Sequence, residues 1–214
     1  MKTTVLLLAV SFILLATNKY KAQENKAFEN GTIVATVGYG FPDFYRINLR
    51  SSYAPYKSRS VGGFGPLILK GDYGIIKFKW GHYVGAGIVL GYSSSKVVYT
   101  DYPGPIVSYP MTDLYRTITI GARGSYHFFT KEKIDCYASV GLGFNINTYS
   151  TTNTGYGSVY GGYGYSNSVR VARSAAYAAF TIGIRYYFTK HIGVYAEAGW
   201  DMSAPLQGGL ALKF

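Results

Sequence analysis

Residues 178–200 read AAFTIGIRYYFTKHIGVYAEAGW, and the spacing of their apolar side chains decides the fold. Phe180, Ile182, Ile184, Tyr186 and Phe188 fall on one face of an extended chain, and Thr181, Gly183, Arg185 and Tyr187 on the other. Successive strand side chains point to opposite faces, so this pattern is a strand with one apolar and one polar side. The polar step from Thr189 to Ile192 then turns the chain back. A second stretch, YHFFTKEKIDCYASVGLGF (residues 126–144), repeats the order: an aromatic, Phe-Thr-Lys, a polar turn, Ile, then Tyr-Ala-x-x-Gly. Before that turn Ile118, Ile120, Ala122, Tyr126 and Phe128 oppose Thr117, Thr119, Arg123, Ser125 and His127. After it Ala138, Val140, Leu142, Phe144 and Ile146 oppose Tyr137, Ser139, Gly141, Asn145 and Asn147.

Extended along the chain, the same period predicts strands near 32–39, 66–75, 83–93, 114–128, 136–149, 175–188, 193–202 and 207–214, with no convincing helical period between them. Their connections alternate. Lys77 to His82, Thr130 to Asp135 and Thr189 to Ile192 are short, residues 40–65, 94–113 and 150–174 are long, and the last connection, Ser203 to Leu206, is tight. Short turns at one end and long loops at the other are the asymmetry of an outer-membrane barrel. The expected fold is therefore all-β, an eight-stranded antiparallel transmembrane barrel with up-and-down meander order.

Which face meets lipid follows from composition. The polar face carries Gly85, Gly87, Gly91, Gly141, Gly143, Gly183 and Gly199 among Tyr, Thr, Asn and single charges, a mixture of small and large groups that suits a narrow lumen. The apolar face is built of Ala, Val, Ile and Leu. Tyr73, Phe128, Tyr186, Phe188 and Phe214 are expected to girdle its inner boundary, and Tyr39, Tyr92 and Trp200 its outer one. A water-soluble barrel, with the apolar face around a ligand, would leave this glycine-rich face to solvent.

At the N-terminus Lys2, the apolar run from Val5 to Ala16 and the polar YKAQEN read as a secretory signal, with cleavage near Ala22 or Gln23. The expected organisation is a signal peptide over residues 1–22 and one barrel domain over 23–214. Without the leader the chain keeps a net charge of +8, from 18 basic and 10 acidic side chains. An exported basic protein meets anionic lipid headgroups and polysaccharides, and no Lys/Arg run exceeds two residues, so no nucleic-acid partner is expected. One cysteine, Cys136, excludes an internal disulfide.

The chain's last residues, GGLALKF, place Leu210, Leu212 and Phe214 on one face and end on an aromatic. This resembles the C-terminal strand signal read by the outer-membrane barrel assembly machinery. With eight strands and a leader, the chain is similar to the small outer-membrane barrels of the OmpA-domain and OmpX-like type. The resemblance covers topology and the terminal signature. It implies a bacterial outer-membrane location, outer-membrane lipids and lipopolysaccharide as neighbours, and the assembly machinery as a partner through the last strand.

Chemistry-bearing patterns are sparse. GAGIVLG (Gly85–Gly91) lacks the helix that a phosphate-binding glycine loop requires. His82, His127 and His191 share no metal-ligand spacing, none is followed two residues later by Ser, and Cys136 has no base near it in sequence. No catalytic residue, cofactor or metal is expected. Alternation points Lys70, Asp72, Arg123, Arg185, Glu197, Asp201 and Lys213 into the lumen as an ion-pair network. With the last turn near residue 205, Glu197 is expected between Arg185 and Lys213. Arg46, Arg50, Lys57 and Arg59 in the first long loop are expected near lipopolysaccharide phosphates or solvent. Tyr156, Tyr160, Tyr163 and Tyr165, alternating with Gly and Ser, suit either surface adhesion, with Arg170 and Arg173, or a hairpin extended above the membrane. The expected role is structural or surface-interacting, the surface ligand being unknown. A narrow pore or hydrophobic-solute conduit is the alternative, and a lipid-modifying outer-membrane enzyme the lesser one.

Overall fold

The computed structural model describes residues 26–54, 56, 59–100, 110–155 and 165–214. The expected leader over residues 1–22, Lys57, Tyr156, Tyr160 and Tyr163 lie outside these residues.

Eight antiparallel strands close in sequence order: β1 (Ile33–Phe41), β2 (Arg59–Lys77), β3 (Tyr83–Thr100), β4 (Pro110–Thr130), β5 (Ile134–Gly155), β6 (Tyr165–Tyr187), β7 (Ile192–Asp201) and β8 (Ala204–Lys213). β1 and β8 seal the ring, with Val37 opposite Leu210 and Tyr39 opposite Gly208. Closure leaves no sheet edge within the membrane-height part of the wall, where an unpaired backbone group would have no water to bond.

The period-two pattern sets the walls. Ile120, Val140, Leu142, Phe144, Phe180, Ile182, Leu206 and Leu210 are exposed, while Lys70, Asp72, Arg123, Arg185, Glu197 and Asp201 are each at most 5% exposed. A surface this apolar around a charged interior is stable only in a lipid bilayer. The chain is a small closed eight-stranded barrel whose outer wall is built to face lipid. Tyr39, Tyr73, Phe128, Tyr186, Phe188, Trp200 and Phe214 stand exposed on the outer wall, and Tyr92 is half-buried there. The inner turn between β2 and β3 adds Phe78 and Trp80, the latter 88% exposed.

The two Phe-Thr-Lys stretches are inner hairpins. In the β6–β7 turn the Thr189 hydroxyl accepts from the Ile192 amide at 3.0 Å. In the β4–β5 turn the Thr130 hydroxyl donates to Asp135 at 2.8 Å. A threonine at this position thus holds each turn through a local side-chain bond.

Strand lengths divide the ring. β7, β8 and β1 have 9 or 10 residues, roughly 33 Å along the strand, which a typical tilt reduces to the height of the apolar band. β5 and β6 have 22 and 23 residues, roughly 75 Å, so they rise far beyond it. Much of what the sequence suggested as long loops is strand. Tyr165 opens β6 opposite Gly155. The first long connection also carries a helix the periodicity does not reveal, α1 (Phe44–Ser52), whose first turn is capped by the Asp43 carboxylate accepting from the Arg46 amide at 3.2 Å.

Candidate functional site

The interior has two parts, a charged cage at membrane height and a cavity above it. In the cage, Lys70 on β2 forms ion pairs with Glu197 and, at 2.8 Å, with Asp201, and donates to the Gln207 side chain at 2.8 Å. Arg123 on β4 reaches Asp72 and Glu197, each at 3.2 Å. Arg185 on β6 pairs with Asp72 and with Asp135 at 3.2 Å. Phenols complete the set: Tyr137 donates to Glu197 at 2.8 Å and Tyr177 to Asp201 at 2.6 Å. The Arg185 guanidinium also lies 4.2 Å from the centre of the Tyr137 ring.

Three cations and four carboxylates from five strands therefore pair with one another across the barrel axis, with hydroxyl donors on three of the carboxylates, Glu197, Asp201 and Asp135. A void beside Lys70 and Arg123 holds about 10 Å³, room for one water at most. Eight strands leave an interior just wide enough for side chains to fill, and here charged ones fill it.

Two expectations about this network need correction, the first being that Glu197 sits between Arg185 and Lys213: its cations are Lys70 and Arg123, and Arg185 pairs with Asp72 and Asp135 instead. Lys213 is not a partner of Glu197: its ammonium donates to the Lys26 carbonyl at 2.9 Å and lies 5.1 Å from the Tyr187 ring centre, at the inner mouth. The last turn lies at Met202–Ser203, where both residues have positive φ (50° and 64°), and the β7–β8 register shifts between Ala198 and Asp201. Glu197 consequently faces Gln207, and Lys213 is carried to the barrel's inner end. The second correction adds Asp135. Alternation from Tyr137 and Ser139 points it inward, but its place beside a turn hides the signal.

His127 is also inside. Its Nδ1 lies 2.8 Å from Asp135 and its Nε2 3.0 Å from the Ser125 hydroxyl. The order of these three groups matches a hydrolytic relay, but Phe28 lies flat on the imidazole, ring centres 3.6 Å apart and planes within 4°. Phe28 and Ala27 are fully buried, and the Ala27 amide donates to the Lys131 carbonyl at 2.7 Å. Residues before β1 thus cap the inner mouth and cover the ring face a substrate would need. His82 and His191 sit in inner turns, against the Tyr126 hydroxyl and the Lys213 carbonyl.

Above the cage lies a cavity of about 620 Å³. Its floor includes Met202 and Thr119. One wall is the tall part of β4, β5 and β6, including Tyr115, Asn145, Asn147, Tyr149 and Arg173, and the opposite side is Asp43, Tyr45 and Ser203. The rim is lower there because β7 and β8 stop at their turn. From Val169 to Ala179, β6 pairs with β5 alone, and β7 joins only at Phe180 opposite Trp200.

Helix α1 spans this mouth. Its Phe44 amide donates to the Ser203 carbonyl at 3.0 Å, and the Phe44 ring stacks on Trp200 with centres 6.2 Å apart. At its other end Leu49 packs with Val97 and Tyr99, and Tyr53 donates to the buried Asp113, which also accepts from Tyr149 at 3.1 Å. Burial and the bond to Asp113 push the Tyr53 phenol above its usual pKa. Burial, with Tyr115 and Asp43 nearby, pushes Tyr45 up to about 12. The loop cations are mostly occupied: Arg46 bonds Asp43 at 3.2 Å and the Gly65 carbonyl at 3.1 Å, and Arg59 donates to the Tyr53 carbonyl at 3.0 Å. Arg50 is exposed on α1.

Two solved structures are similar to this chain. One is Ail, the attachment invasion locus protein of Yersinia pestis, crystallised with the heparin analogue sucrose octasulfate: 14% identity over 86% of this chain and 99% of that one, TM-score 0.38. The other is the N-terminal β-barrel domain of Pseudomonas aeruginosa OprF, with 16% identity over 87% and 98% and a TM-score of 0.33. No family model and no curated protein matches the sequence.

Proposed function

We propose that this protein is a closed barrel that serves the cell surface by binding or contact at its outer end, and that it neither conducts solutes nor catalyses a reaction. The observation that carries this reading is the cage. Lys70, Arg123, Arg185, Asp72, Glu197 and Asp201 are buried in mutual contact across the lumen. A conduit would have to break these pairs, which now hold the charges in mutual contact across the lumen.

The enzyme alternative lacks an accessible centre. His127 is capped by Phe28, and His82 and His191 belong to inner turns. Neighbouring outer-membrane lipid and lipopolysaccharide are the partners in this reading, along the apolar wall and its aromatic ends, with the barrel assembly machinery engaging the C-terminal strand.

Proteoliposomes made with lipopolysaccharide test all three readings together. The expected result is no uptake of a small sugar above protein-free vesicles and no change in lipid A mass. Rapid uptake would establish the pore, and deacylated or otherwise altered lipid A the enzyme.

A further inference from the structure

The polarity of the hydrogen bonds in the outer cavity indicates what the cavity can hold. Thr117 and Thr119 donate to the side-chain oxygens of Asn147 and Asn145, at 2.8 and 2.6 Å. Each bond uses the amide's acceptor and leaves its NH₂ group free to donate. Arg173 lies opposite Asn147 on the inward-facing row of β6, exposed, and among the described residues no carboxylate pairs with it. The carboxylates near the cavity are already satisfied: Asp43 by Arg46, Asp113 by Tyr53 and Tyr149, and Asp201 by Lys70 and Tyr177. The lining therefore offers amide donors and two guanidinium groups, Arg116 and Arg173, while each carboxylate near it is already engaged by a side chain of the protein.

The aromatic wall adds a second requirement. The rings of Tyr115 and Tyr149 lie 4.9 Å apart, and Tyr45 meets Tyr115 edge-on at 5.8 Å. The hydroxyls of Tyr115 and Tyr149 bond Tyr53 and Asp113, so these two residues present ring faces and edges to the cavity. Ring surfaces beside a fan of amide and guanidinium donors suit a ligand with flat C–H faces and many acceptor oxygens. The volume, about 620 Å³, lies in the range of small-molecule sites, roughly 300–1,000 Å³.

We infer that the outer cavity binds the end of an acidic saccharide, with a ring carboxylate on Arg173, ring or hydroxyl oxygens on the Asn145 and Asn147 amides, and a sugar face against Tyr115 and Tyr149. This rests on the closed-barrel reading, since an open lumen would make the cavity the entrance of a pore.

The test is titration calorimetry of the full-length folded protein in a zwitterionic detergent without a sugar headgroup. Linear trigalacturonate is compared with maltotriose, a neutral α-1,4-linked trisaccharide of the same length. Trigalacturonate is expected to bind saturably and at least tenfold more tightly than maltotriose, and to weaken as salt is raised. Arg173→Gln should reduce its affinity at least tenfold and Asn147→Ala several-fold, both variants keeping the heat-dependent gel shift of a folded barrel. Lys79→Gln, at the inner end, should bind like the parent. Equal affinity for the two sugars, undiminished binding by Arg173→Gln, or no binding by a folded and impermeable protein would each overturn the inference. That last result would leave the closed-barrel reading standing, whereas solute uptake by the parent protein would remove both.

Discussion

The cage and the outer cavity are built on the same strands and differ in what satisfies their polar groups. In the cage every charge meets an opposite charge on another strand, as Lys70 of β2 meets Glu197 and Asp201 of β7. In the cavity the polar groups are bonded at one end and free at the other, as Asn145 and Asn147 accept from threonines and keep their amide donors. A buried charge must be paired by the protein itself, whereas a donor beside water can wait for a ligand. The same inward-facing rows thus close the barrel at membrane height and form a receptive cup a few residues higher.

The sharpest way to break this contrast is to remove one carboxylate from the cage. Glu197→Ala takes a partner from Lys70, Arg123 and Tyr137, and is expected to cost about 3–5 kcal/mol, the usual loss when a buried charge pair is broken. Urea titration of the folded barrel in detergent checks it against Arg50→Ala on the exposed helix, which should shift the midpoint little.

Packing gives the next effect. A Cβ at Gly183 would stand 2.6 Å from the Tyr137 ring and 2.8 Å from the Glu197 side chain, whereas one at Gly62 would meet nothing within 4 Å. Gly183→Val should therefore destabilise by about 1–3 kcal/mol, as overpacking does. Gly62→Ala should leave the unfolding midpoint within error, and equal responses would contradict the difference in packing between the two regions.

At the cavity, Tyr53→Phe removes the donor that ties the end of α1 to Asp113, a loss of about 1.5–3 kcal/mol for a bond to a charged group. Its readout is faster amide exchange over residues 44–54 with unchanged exchange in β7 and β8. Uniformly faster exchange would mean that α1 and the barrel open together. The smallest effect is expected for the connection between β5 and β6. Replacing residues 156–164 by a Gly/Ser linker of equal length should leave the heat-dependent gel shift intact, because long surface connections contribute little to closure. Loss of that shift would place the tyrosine-rich segment within the folding core.

The sequence discloses the wall better than the interior's detail. Strict alternation in residues 178–188 and 136–146 is enough to tell lipid-facing from lumen-facing positions, because a bilayer penalises any slip. It fails at Lys213, since Met202 and Ser203 take the positive-φ turn without the Gly, Asn or Asp that usually announces one. Above the membrane both strand faces are polar, as in Arg170, Arg173 and Ser174, and alternation no longer separates strand from loop. Helix α1 buries only Leu49 among its nine residues, too little for a helical period to appear. The cavity's donors were visible as a polar row, but their direction depends on which threonine faces which asparagine, and that requires the register of β4 against β5.

Whether the cage closes the lumen is tested most directly by single-channel recording of the purified protein in a planar lipid bilayer. The account predicts a quiet baseline for the parent protein, with brief openings only in Glu197→Ala, where Lys70 and Arg123 lose a shared counter-charge. Steady, large currents from the parent protein would show a continuous water path through Lys70, Arg123 and Arg185 and would contradict it.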